Sequence, residues 1–366
     1  MELESKIHQS SNDVPPQPLR SVHTTNFPQI LHQLGISLLV STYQAGKLIV
    51  LEAENDTLNT HFQNFTKPMG IAVQSDRLAI GTSQEIWEFQ NVSASTRKIG
   101  STDNHDGCFL PRRTNVTGDI KIHEMAWVGR ELWFVNTLFS CLAKRTDDTG
   151  FVPVWRPPFI TELSATDRCH LNGLAVVEEK VRYVTAIARS NTDQGWRDHK
   201  RNGGILFDIE SNEVITSGLS MPHSPRWYDG RLWVLDSGTG GIGTIDLNRG
   251  RYEPIAQLPG FTRGLDFCGP LAFIGLSQVR ESGVFGGIRI AEQLKERSCG
   301  VWVIHIKTGE TVAFVRFEQA VREIFSVQVL PGLRFPGLIK DDEKLLTNSF
   351  RSDPPETASR PVNRTP

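Results

Sequence analysis

A short polar-to-apolar segment recurs six times along the chain, and few architectures can accommodate such a series. The copies are Met69-Gly-Ile-Ala-Val73, His123-Glu-Met-Ala-Trp127, Asn172-Gly-Leu-Ala-Val176, His223-Ser-Pro-Arg-Trp227, Arg263-Gly-Leu-Asp-Phe267 and Glu323-Ile-Phe-Ser-Val327. A repeat of roughly 40–60 residues in a strand-rich sequence points to the blades of a propeller. The first five copies are each followed by a second apolar run, at Arg77–Gly81, Glu131–Val135, Val181–Thr185, Arg231–Leu235 and Pro270–Gly275. The plainest example is Pro222 to Ile245. There a Tyr-Asp-Gly turn and a glycine-rich turn separate three short strands.

The sixth copy has no strands of its own behind it, only LPGLRFPGLIK and a polar end. Three unassigned strands lie at the other end of the sequence, at Ser37–Tyr43, Lys47–Glu52 and Leu58–Phe65. The expectation is an all-β, six-bladed β-propeller closed by pairing the C-terminal inner strand with the N-terminal outer strands. Such a closure leaves no unpaired seam. A β-sandwich with loose repeats is the alternative. An α/β fold is disfavoured because almost no stretch keeps a 3.6-residue apolar period. The reading divides the chain into a flexible tail over 1–26, a propeller over 27–340 and a disordered tail over 341–366. Short helices are expected at Phe27–Leu34 and at Ala291–Arg297.

Composition narrows the partners. The 39 basic and 41 acidic residues nearly cancel, giving no general reason to expect nucleic acid or an anionic membrane. No apolar run approaches the roughly 18 residues of a membrane span. The start of the chain lacks the charged-then-apolar order of a secretion signal, so the expected compartment is the cytoplasm. The five cysteines are widely spaced with no CxxC pair and read as small buried residues. The Asn-x-Ser/Thr triplets at Asn64, Asn91 and Asn115 then read as chance occurrences.

Inner strands of a propeller run along its central axis. The first position of the six copies therefore gathers Met69, His123, Asn172, His223, Arg263 and Glu323 around one channel. Polar residues can line a channel simply because it is wet, yet this set also has the donors for a metal or for acid–base work. Three long connections are expected to be loops: 104–119, 189–203 and 278–300. The second carries Trp196, Arg197 and His199, a mixture suited to a polar ligand.

The segments HLNGLAVVEEKVRYVTA and SPRWYDGRLWVLDSGTGGIGTIDL resemble blades of the gluconolactonase and regucalcin superfamily of six-bladed propellers, most clearly at Asn172-Gly-Leu-Ala. The whole chain also resembles an uncharacterised bacterial family of conserved hypothetical propeller-like proteins. The superfamily resemblance implies one divalent cation at the axis, held by Glu323 and Asn172, with His223 where those lactonases carry Asp. That exchange favours zinc, manganese or iron over calcium. His123 would be a base or a fourth ligand, and Glu124 and Asp236 would orient metal-bound groups. Arg263 would either pair with Glu323 or clamp an anion. The resulting expectation has Glu323, Asn172 and His223 as metal ligands and His123, Asp236 and Arg263 as catalytic groups. Glu124, Trp196, Arg197 and His199 would contact the ligand. The function so implied is a metal-assisted hydrolase acting on a small polar molecule, a lactone or ester. Two rivals stand beside it. One is a non-catalytic propeller binding a peptide, sugar or protein through its loops. The other is a metal-independent lyase or isomerase using His123 and His223.

Overall fold

The structure, a computed structural model, describes residues 19–92, 105–279 and 286–347. Six antiparallel sheets form a ring, each with its innermost strand at the axis. Neighbouring inner strands contact one another in cyclic order around the whole circle. Blade 1 is built from both ends of the chain. Ser326–Pro331 is its inner strand, followed outward by Ile36–Thr42, Lys47–Glu54 and Thr57–Asn64. The register runs from Ile36 opposite Pro331 to Ser41 opposite Ser326, which is the closure expected from the repeats.

The other blades follow in chain order. Blade 2 has Ile71–Gln74, Arg77–Gly81, Glu85–Asn91 and Gly107–Val116, and blade 3 has Ile122–Val128, Glu131–Asn136, Cys141–Arg145 and Phe151–Trp155. Blade 4 comprises Leu171–Val177, Lys180–Ala186, Gly204–Asp208 and Glu213–Leu219. Blade 5 comprises Pro222–Tyr228, Arg231–Asp236, Gly241–Asp246 and Arg251–Gln257. Its first turn places Asp229 (φ 49°) and Gly230 (φ 68°) both in the left-handed region. That is the conformation a two-residue hairpin with native twist requires. Blade 6 has Phe261–Cys268, Leu271–Ser277, Cys299–His305 and Thr311–Phe317.

Two expectations on boundaries change. Ser21–His23 adds a strand to the outer edge of blade 6, pairing with Val315–Phe317, so order begins before residue 27. The stretch expected as a loop over 104–119 is, where described from 105 on, mostly strand. Gly107–Val116 is the outer strand of blade 2, and Pro336–Leu338 pairs parallel to it. Its alternation was hidden by Pro111, Arg112 and Arg113, which suit a solvated edge. Of the disordered tail expected over 341–366, Glu343–Thr347 forms a short helix, and the remainders of the two expected tails, 1–18 and 348–366, lie outside the described residues.

The core lies between the blades. Helix Asn26–Leu34 buries Phe27 and Leu31, four residues apart on one face, against blades 1 and 6. The helix stops at Gly35, whose φ of 65° lets its N–H cap the His32 carbonyl. Each such fully buried aliphatic or aromatic side chain contributes about 1.5–3 kcal/mol. Four cysteines are buried and Cys268 is partly buried, all as free thiols. Burial pushes Cys141 and Cys169 up to about 12, which leaves them inert. Among the described residues no helix is long and apolar enough to cross a membrane.

Candidate functional site at the propeller axis

The inner strands of blades 3 to 6 share one irregularity. In each, the register slips by one residue at the start of the strand, near His123–Glu124, Asn172, Ser224–Pro225 and Arg263–Gly264. Each slip inserts one extra residue opposite the second strand, a β-bulge, and bulges re-aim side chains next to functional sites. Tight contacts between neighbouring inner strands accompany them. A Cβ at Gly70 would collide with the His123 carbonyl, and one at Gly264 (φ 83°) would lie 2.6 Å from the Val327 nitrogen.

Above the bulges the axis opens into a cavity of about 330 Å³. Met69, His123, His223, Arg263 and Glu323, five of the six axial positions read from the repeats, line it. The residues two places earlier, Lys121, His170, Met221 and Phe261, line it as well. Lys121, His170 and Met221 lie just before their strands in the left-handed region, where the repeat pattern does not extend, and the sequence reading missed all four. Trp196 and Arg197 from the 189–203 insertion form part of the wall, with Tyr43 and Phe325 opposite.

Hydrogen bonding settles the tautomers of two histidines. His223 Nδ1 lies 2.8 Å from the Met221 carbonyl and 3.1 Å from Ser237 Oγ. A carbonyl only accepts, so Nδ1 carries the proton. His123 Nδ1 lies 3.0 Å from the Lys121 carbonyl and 2.8 Å from Thr137 Oγ1. The Thr137 hydroxyl in turn donates to the Leu171 carbonyl at 2.5 Å. Both rings therefore keep a bare Nε2, and neither Nε2 has a hydrogen-bond partner among the described residues. Burial first, and the positive charge of Arg263 second, hold both imidazoles well below 6.5, so they are neutral at physiological pH.

Arg263 is the most exceptional charge of the site. Its guanidinium carbon sits 3.5 Å from the centre of the Phe325 ring. It makes no hydrogen bond or ion pair among the described residues. Burial lowers its pKa to about 10, against the pull of Glu323 and Glu124, and it stays protonated at neutral pH. Glu323 faces the same cavity, also without an ion pair. Two of the other charges are matched to each other. The buried Asp167 receives His170 Nδ1 at 3.0 Å and Lys121 Nζ at 3.3 Å. Burial alone would raise its pKa, but these two neighbours hold it below the usual carboxylate range.

The cavity is closed below and flanked above. Below it, Glu124 on blade 3 and Arg226 on blade 5 form an ion pair across the axis. The sequence reading counted Glu124 among the residues that contact the ligand. The bulge breaks the strand alternation, and Glu124 lies under the mouth rather than among ligand contacts. Above, the buried Trp196 packs on His170 with ring centroids 4.3 Å apart. The insertion 189–203 docks on residues 286–294 of the other long insertion. Arg201 grips both oxygens of Glu292, at 2.5 and 3.0 Å, and Trp196 joins Ile288 and Ile290 in a small apolar cluster.

Three expected site residues lie elsewhere. Asp236 accepts the Ser220 N–H at 2.5 Å and the Thr239 hydroxyl at 2.8 Å, shaping a turn outside the cavity. His199 is exposed and is not part of the lining. Asn172 sits below the cavity with both amide atoms engaged. Its Nδ2 donates to the Pro222 carbonyl at 2.8 Å, and its Oδ1 accepts from Thr185 at 2.7 Å. It thereby fastens blade 4 to blade 5. Glu323 and His223 are left without the third ligand, beside a fixed positive charge, so these residues do not fit a resident divalent cation. Among the described residues no group of three His, Cys, Asp or Glu is placed to hold one.

Comparisons with known proteins agree on architecture. A chain of a nidogen–laminin complex superposes with a TM-score of 0.50 at 10% identity, covering 81% of this chain and 99% of that one. A protein of unknown function from Bacteroides caccae superposes with a TM-score of 0.50 at 11% identity, covering 81% and 98%. Likeness at this identity speaks for the fold alone. No curated protein sequence matches. The family model described as a domain of unknown function (DUF4915) matches residues 25–339, and the chain belongs to that family.

Proposed function

We propose that the axial cavity binds a small carboxylate-bearing molecule on Arg263 and presents His123 and His223 to it as proton acceptors, without a resident metal. The observation that supports this reading is the unpaired Arg263 guanidinium in one cavity with two imidazoles whose Nε2 atoms are bare. A partly buried guanidinium with no ion pair or hydrogen bond of its own is a strong receptor for a carboxylate, which it can hold through two parallel hydrogen bonds. The cavity volume suits a small ligand, and the apolar rings around the polar groups fit the usual make-up of such sites.

The chemistry follows from the same charges. Arg263 depresses the basicity of both imidazoles, so a carboxylate that neutralises it raises their proton affinity as the ligand arrives. A hydroxyl or water next to the bound carboxylate would then meet a stronger base than the empty site holds. The metal-assisted hydrolase reading needed Asn172 as a ligand beside Glu323 and His223, and its amide is engaged by Pro222 and Thr185.

A panel of small carboxylates tested by thermal shift in excess chelator addresses the proposal. Stabilisation of the wild-type protein, lost in Arg263→Gln, is the expected result. No stabilisation by any carboxylate, or stabilisation only after a divalent ion is supplied, would overturn it.

A further inference from the structure

We infer that the ligand of this site is an amino-carboxylate, carrying an ammonium group as well as a carboxylate; this rests on the proposed anion role of Arg263. The lining is balanced in formal charge, with Lys121, Arg197 and Arg263 against Asp119, Asp167 and Glu323, while His123 and His223 are neutral. A cavity built for a simple anion would carry an excess of positive charge. Here Lys121 and Asp167 satisfy each other, and Arg197 is held by Gln194 at 2.8 Å and lies over the Trp196 ring.

Asp119 is exposed to solvent, which leaves Arg263 and Glu323 as the sheltered opposite charges that face the same space without forming an ion pair. A ligand with both charges can satisfy them together, its carboxylate on Arg263 and its ammonium on Glu323. A plain carboxylate would leave Glu323 unmatched beside it. The wall next to Glu323 suits a cation too. Tyr43 stands there, its ring centroid 6.1 Å from that of Phe325, whose own face holds the Arg263 guanidinium, and aromatic faces attract ammonium groups. On the far side Trp196 and Phe261 offer an apolar surface for a hydrocarbon side chain. The bare Nε2 atoms of His123 and His223 can accept further N–H or O–H groups from the same molecule.

Calorimetry with three probes on one skeleton tests this: phenylalanine, 3-phenylpropionate and 2-phenylethylamine. The first has both charges, and each of the others has one. Phenylalanine should bind at least about tenfold tighter than either, the scale of one charge-assisted hydrogen bond. Glu323→Gln should collapse the ratio between phenylalanine and 3-phenylpropionate towards one, and Arg263→Gln should weaken both acids. The comparison within the wild-type protein stands even where a variant folds poorly. If 3-phenylpropionate binds as tightly as phenylalanine, the amino-carboxylate assignment fails while the anion site survives. If neither acid binds, nor any other carboxylate, the anion site fails with it.

Discussion

His123 and His223 face each other across the propeller axis from blades 3 and 5, their ring centroids 6.4 Å apart and their planes within 23° of parallel. Sequence separates them by a whole blade, and the closed ring brings them together. Each is locked by a backbone carbonyl two residues earlier, just before its strand begins, Lys121 for one and Met221 for the other. The same local device, repeated in two blades, points two bare Nε2 atoms away from the backbone.

Neutral buried histidines make stability depend on pH with a definite sign. In the unfolded chain both rings protonate as pH falls through about 6.5, whereas in the folded protein they resist until well below it. The unfolded state then binds more protons, so the contribution of these rings is complete above 6.5 and is lost on acidification below it. Each contributes at most about 1.4 kcal/mol per pH unit. Arg263, His170 and Phe325 face them, and the fixed charge of Arg263 opposes their protonation. Chemical denaturation between pH 5 and 7.5 should show this slope, and His123→Gln should reduce it.

The Glu124–Arg226 pair beneath the cavity is a stability element rather than part of the binding surface. Burial alone would lower the pKa of Arg226, and Glu124 raises it instead, which marks the guanidinium as dependent on its partner. Removing one member strands the other in a poorly solvated channel. Glu124→Leu should therefore destabilise the fold by about 3–5 kcal/mol, while Glu124→Leu with Arg226→Met recovers most of the loss. Urea denaturation of the two single variants and the double variant measures the coupling.

Gly264 holds the inner strands of blades 6 and 1 close together at the seam of the ring. Alanine there meets both the left-handed φ of 83° and the Val327 nitrogen at 2.6 Å. The conformational penalty alone is about 1–2 kcal/mol. Gly264→Ala should lower unfolding free energy by at least that much in a denaturant titration, and Gly35→Ala, where no atom lies within 4 Å, by less.

Much of this architecture was legible because a propeller repeats itself. Six copies of one pattern gave the blade count, and the missing strands of the sixth gave the closure. The axial column was readable for the same reason. It failed where period-2 alternation fails: the bulges at Asn172 and Glu124 exchange inward and outward positions, and a bulge has no signature in a single strand. Asp236 looked like a site residue because an Asp before Ser-Gly serves a turn and a site equally well, and only its partners, Ser220 and Thr239, decide. His170 escaped because it precedes its strand, in the left-handed region at φ 52°, where repeat alignment does not reach.

The most direct test is a crystal structure of the protein with a bound carboxylate probe such as 3-phenylpropionate. The account predicts the carboxylate oxygens about 3 Å from the Arg263 guanidinium, with the hydrocarbon against Trp196 and Phe261. A probe bound away from the axis, or an Arg263 turned to pair with Glu323 while the carboxylate lies elsewhere, would contradict it.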